Sequence, residues 1–115
     1  MLEIPESLKA ALDGLRALGG DGLARQMASV FVEHSAGRVA ALQGALDAGD
    51  ASGAAEAAHT LKGSSRQLGL TALADVCLEV EQACKRGDVA TARTFAAAVH
   101  EQYTAAAALL RLATA

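Results

Sequence analysis

Long apolar runs are missing from this 115-residue chain: no stretch of 18 uncharged apolar residues occurs, so nothing in it reads as a membrane-spanning helix. Aromatic residues make up only 3% of it, with no tryptophan, and runs of β-branched residues are absent, which removes the usual makings of strands. One proline, Pro5, leaves everything after it free of the strongest helix breaker. Positive charge is not in excess. The formal net charge is −3, so the molecule lacks the field that nucleic acid or an anionic membrane requires, and any basic patch must be local. There are two cysteines, Cys77 and Cys84. Seven residues apart in one helix, they stand about 10 Å apart along its axis, too far to bridge; they are expected to be reduced, buried thiols of a cytoplasmic protein. Neither Cys-x-x-Cys nor His-Glu-x-x-His spacing occurs, so no metal site is expected. A glycine-rich phosphate loop is also lacking, and the chain is too short for an ATP-binding lid, so it should not phosphorylate itself from ATP. Near the N-terminus stand Glu3 and Glu6 instead of a basic segment followed by an apolar one, the pattern of an unexported chain.

What is present in quantity is alanine, about a quarter of the residues, which favours helix throughout. Glycine and aspartate punctuate the chain at Gly19-Gly20-Asp21, Ala48-Gly49-Asp50, Leu68-Gly69-Leu70-Thr71 and Arg86-Gly87-Asp88, each a helix stop followed by a cap. The spacing predicts helices over about 21 to 48, 50 to 68, 71 to 86 and 88 to 113, preceded by a shorter one near 5 to 18 that starts at Pro5. Connections this short return each helix against the one before. The expected fold is therefore all-α: an antiparallel up-down-up-down four-helix bundle with a short extra N-terminal helix, one domain over 1–115. Apolar residues at helical spacing mark the core: Phe31, Val39, Leu42 and Leu46; Ala54, Ala58, Leu61 and Leu68; Leu73, Cys77, Val80 and Cys84; Ala92, Ala96, Val99, Tyr103, Ala106 and Leu110. A monomer is expected, because these stripes can satisfy one another within a single bundle.

One short stretch carries chemistry. Residues 58 to 69 read Ala-His-Thr-Leu-Lys-Gly-Ser-Ser-Arg-Gln-Leu-Gly. On a helix, Lys62 and Gly63 share a face with His59, and His59 lies about 100° from Ala58, beside the core stripe and not within it. An accessible imidazole results. Ser64, Ser65 and Arg66 continue the pattern, so the exposed face around it is expected to be small and cationic. Gly63 is the oddest choice, since a glycine inside a helix costs up to about 1 kcal/mol relative to alanine. A side chain there would either obstruct whatever reaches the ring or block close helix packing. His34 and His100 have no such neighbours and are read as structural, and the two cysteines as core fillers.

The stretch resembles the histidine-containing phosphotransfer (HPt) domain, whose pattern is Ala-His-x-Leu-Lys-Gly followed by small residues and Leu-Gly; the likeness extends more weakly over residues 20 to 112. It implies a helical bundle that carries a phosphoryl group between the aspartates of response-regulator receiver domains, or onward from a hybrid histidine kinase. His59 would be the phosphoacceptor. In the family an amide or carboxylate 22 residues after the histidine holds its other ring nitrogen, and that position here is Glu81. Lys62 would neutralise phosphoryl oxygens, Ser64 would donate a hydrogen bond to them, and Lys85 would add charge. Arg66 and Arg86, with Lys85, would form a basic rim facing the acidic, metal-binding receiver pocket. No cofactor is implied for this chain, because magnesium and the catalytic carboxylates belong to the receiver. It would be a phosphocarrier more than an enzyme. A reading from another class is an unphosphorylated helical module that docks a receiver or an enzyme through the His59 face.

Overall fold

The computed structural model describes residues 3–115; Met1 and Leu2 lie outside the described residues. Among those described there is no strand, and five helices follow one another: α1 (Glu6–Asp47), α2 (Ala51–Gln67), α3 (Thr71–Lys85), α4 (Val89–Thr94) and α5 (Ala96–Ala113). Helix α1 runs through both of the first two predicted helices but is sharply kinked between them. Gly20 has φ 74° and ψ −170°, a conformation essentially reserved for glycine, and Gly19 beside it is also non-helical. The kink separates a short arm, residues 6–18, from a long one, residues 21–47.

Packing runs from α1 to α2, α2 to α3, α3 to α5 and α5 back to α1, closing a ring of four. Three hydrogen bonds fix the direction in which α4 and α5 run against α1. Arg16 donates from Nη2 to the Ala113 carbonyl at 2.7 Å, the Tyr103 hydroxyl donates to Val32 O at 2.7 Å, and Arg93 Nε donates to Leu46 O at 3.0 Å. As position rises along α1 its partners fall back along α5 and α4, so these helices run antiparallel to α1. The interior is aliphatic: Leu42, Leu46, Leu61, Leu73, Val80, Val99 and Leu110 are all buried, with Ala54, Ala58 and Ala92 where helices approach closely. Both thiols are buried and free.

Three of the four turns share one geometry. The N–H of Asp50 reaches Ala45 O at 2.8 Å, that of Leu70 reaches Ser65 O at 2.8 Å, and that of Asp88 reaches Ala83 O at 2.9 Å, each closing a helix end through a left-handed glycine. Asp50 and Asp88 then cap the next helix, accepting from Gly53 N at 2.9 Å and Thr91 N at 3.0 Å. Gly69 has a further reason to be glycine. A Cβ there would sit 2.1 Å from the Ser7 carbonyl oxygen, because the short arm of α1 lies directly on this turn and the Ser7 hydroxyl donates to Gly69 O at 2.6 Å.

One predicted helix is corrected. The span 88 to 113 is interrupted at Phe95, leaving α4 and α5. There the Phe95 N–H bonds Ala92 O at 3.1 Å, one residue short of the α-helical register, and the Thr94 hydroxyl donates to Thr91 O at 2.6 Å. Val39, Ala96 and Tyr103, placed in the core stripes, are only half-buried. His34 and His100, read as structural, are both exposed, since neither lies on the inward face of its helix.

Candidate functional site

Helix α2 places His59 one residue outside the line Ala54, Ala58, Leu61, and its side chain is 67% exposed. Helix α3 packs alongside. On it Glu81 flanks the stripe formed by Cys77, Val80 and Cys84, so its carboxylate enters the α2–α3 seam and is only 2% exposed. A buried carboxylate needs partners, and here there are three. His59 Nδ1 lies 2.7 Å from Oε2, Lys85 Nζ lies 3.2 Å from the same oxygen, and Lys62 Nζ donates to Oε1.

Burial alone would raise the Glu81 pKa, but the hydrogen bonds from Lys62, His59 and Lys85, with the charge of Lys62, outweigh it and hold the carboxyl at about 2. Glu81 is therefore an anion near neutral pH. An ionised carboxylate only accepts, so the proton in the 2.7 Å contact belongs to Nδ1. A neutral ring protonated at Nδ1 carries its lone pair on Nε2. The site thus fixes one tautomer, and its free nitrogen belongs to an exposed ring.

The two lysines differ in setting. Lys62 is 12% exposed and lies in the seam, whereas Lys85, one turn after Glu81 on α3, is 66% exposed. Beneath them Cys77 is fully buried; burial first, and then the Glu81 charge, push its thiol up to about 12 against a smaller opposing effect of Lys62. It is an inert floor to the cluster.

Other residues of the motif are dispersed. Gly63 is exposed, and a Cβ added there would meet nothing within 4 Å, which removes close helix packing as its explanation. Ser64 does not join the ring. It lines a groove against α1 with Met27, Phe31 and His34, as its offset of about 140° around the helix from His59 requires. Ser65, expected on the exposed face, is fully buried, its hydroxyl donating to Leu61 O at 2.7 Å; it continues the line Ala58, Leu61 and so faces the core. Arg66 is exposed two turns beyond His59 on the same face, and Arg86 is exposed at the end of α3. The anchoring of Lys62 on Glu81 was not anticipated, although a signal existed: three residues on from His59 lies about 60° back toward the core stripe, on the side that meets α3.

Among the described residues, no group of three His, Cys, Asp or Glu side chains is placed to hold a metal ion, and no helix is long and apolar enough to cross a membrane. Residues 26–109 match the family model described as the Hpt domain. Among solved structures the chain is similar to that of histidine-containing phosphotransfer protein B (HptB) from Pseudomonas aeruginosa PAO1, with 28% identity and a TM-score of 0.85 over 91% of this chain and 90% of that one. No curated protein matches it significantly.

Proposed function

This chain belongs to the Hpt domain family, the histidine phosphotransfer modules of phosphorelays, and from that premise we propose that His59 accepts a phosphoryl group on Nε2 and passes it on. The observation that carries this reading is the 2.7 Å contact of Nδ1 with an ionised Glu81, which leaves the Nε2 lone pair on the exposed side. The donor and acceptor are aspartates of receiver domains, with a hybrid histidine kinase upstream, and the cytoplasm is where such partners meet it.

In uptake, the O–P bond of a receiver aspartyl phosphate breaks as the Nε2–P bond forms. No proton has to leave Nε2, so no general base is required on this chain. The ring instead becomes cationic while keeping its Nδ1 proton, and Glu81 stabilises that charge through a hydrogen bond to a charged group, worth about 1.5 to 3 kcal/mol. In the reverse direction the electron pair returns to Nε2 and the ring is again neutral. Lys62 and Lys85 supply the cations of the site, and Arg66 and Arg86 extend the charge toward an acidic partner. Gly63 keeps the approach to the ring clear, since nothing within this chain needs its missing side chain. Magnesium and the catalytic carboxylates belong to the receiver, so the protein is a carrier and the chemistry is shared.

The test is incubation with a phosphorylated receiver domain and magnesium, followed by intact mass and acid-lability measurement. Wild type should gain one acid-labile phosphate and His59→Gln none. Because the ring is exposed, the variant should stay within about 1 kcal/mol of wild type in stability. Binding of competent receivers without any labelling would replace this reading by that of a docking module.

A further inference from the structure

Two lysines reach Glu81 from different depths, and the contrast divides their labour. Lys62 is bound to Oε1 inside the seam at 12% exposure; withdrawing it would leave a carboxylate that is 2% exposed short of a charge. Lys85 is 66% exposed and shares Oε2 with His59 Nδ1, at 3.2 and 2.7 Å respectively. If Lys85 departs, Oε1 keeps Lys62 and Oε2 keeps Nδ1. Its four-carbon stem is flexible and its ammonium is a compact donor that can be re-aimed.

Resting on the reading of His59 as phosphoacceptor, we propose that Lys85 is the cation that contacts the phosphoryl group, and that Lys62 is a positioning residue holding Glu81 ionised and aimed at Nδ1. Charge favours the exchange. Before transfer, Oε2 faces a neutral imidazole N–H and the Lys85 ammonium. As the Nε2–P bond forms and the donor's P–O or P–N bond breaks, the ring becomes an imidazolium whose Nδ1–H stays on Oε2. That oxygen then has a new cation, and Lys85 is released to donate to a phosphoryl oxygen. No proton changes atoms. The i, i+4 spacing of Glu81 and Lys85 on α3 places the ammonium 3.2 Å from Oε2, the oxygen that also faces Nδ1, so it need move only a short way to serve the phosphoryl group.

The experiment omits the receiver, so docking cannot contribute. Wild type, Lys85→Met, Lys85→Arg and Lys62→Met are phosphorylated with phosphoramidate, which releases ammonia, and followed by 31P NMR across pH. Lys85→Met should take up phosphate about tenfold more slowly, as expected for loss of a charge-assisted hydrogen bond to phosphate, and its phosphoryl group should titrate at higher pH than in wild type. Lys85→Arg should restore the titration. Lys62→Met should lose thermal stability and disturb the Nδ1 resonance while its phosphoryl titration stays where it is in wild type. Uptake and titration unchanged in Lys85→Met would overturn the assignment, whether or not Lys62→Met folds. Failure of wild-type His59 to take up phosphate from either phosphoramidate or a phosphorylated receiver would instead overturn the proposed function, and this inference with it.

Discussion

At the scale of single residues the decisive group is Glu81, a carboxylate 2% exposed that faces two lysines and an imidazole. Its pKa falls from 4.5 to about 2 on folding, so between those values the folded chain binds fewer protons than the unfolded one. The stability it contributes is complete above the unfolded value and is lost as pH falls toward the folded one. Urea unfolding of wild type and Glu81→Gln should therefore show an advantage for wild type at neutral pH, on the order of 2 kcal/mol, that shrinks steadily from pH 4.5 to about 2. A difference independent of pH would mean that the carboxylate charge is not what the site stabilises. His59 was legible in the sequence from its motif and its place beside the core stripe of its helix, whereas Glu81 was reached only through the resemblance, by its spacing of 22 residues from the histidine. Lys62 was legible only in part. The helical period turns it toward the core side of α2, but that Glu81 of α3 meets it there is a fact about two helices that neither helix alone contains.

At the scale of elements, α2 carries a glycine at 63 that its packing does not require. Gly63→Gln should leave thermal stability level or slightly raised, since glutamine is the better helix former by roughly half a kcal/mol, while slowing phosphotransfer from a receiver sharply. Transfer at the wild-type rate would remove the account of Gly63 as clearance for the partner. The turns around α2 and α3 were readable because each encodes its geometry locally in a left-handed glycine, followed by a capping aspartate at 50 and 88 though not at Leu70, which makes no side-chain cap. Asp88 illustrates it: the hydroxyl and backbone N–H of Thr91 both donate to it and lower its pKa. The break at Phe95 was not readable. No glycine or proline stands near it, so the shift at Phe95, whose N–H bonds Ala92 O, has no local stop signal in the sequence. Ser65 is a different case: its spacing from Ala58 and Leu61 already put it on the core face, where its hydroxyl is satisfied by its own helix, and only its polarity suggested exposure.

For the whole molecule, the kink at Gly20 folds residues 6–18 across one end of the bundle, burying Leu8 and Leu12 and seating Ser7 on the turn that ends α2. The arm lies outside residues 26–109, the span matched by the family model. Leu12→Ala should cost about 2 to 5 kcal/mol if arm and bundle unfold as one unit, seen as a single thermal transition at lower temperature. Unchanged bundle melting with new proteolysis near Gly20 would show the arm to be an independent appendage. His59 is ten residues before the turn that the arm covers, about 15 Å along α2, so uptake of phosphate should survive the substitution. The imidazole itself is out in the open, its side chain 67% exposed among the described residues. On the proposed reading, a phosphoryl group waiting there stands where water can also reach it. The molecule then keeps time as well as carrying a signal: each loaded copy decays on its own clock, and the message that arrives depends on how many receivers are near enough to collect it first.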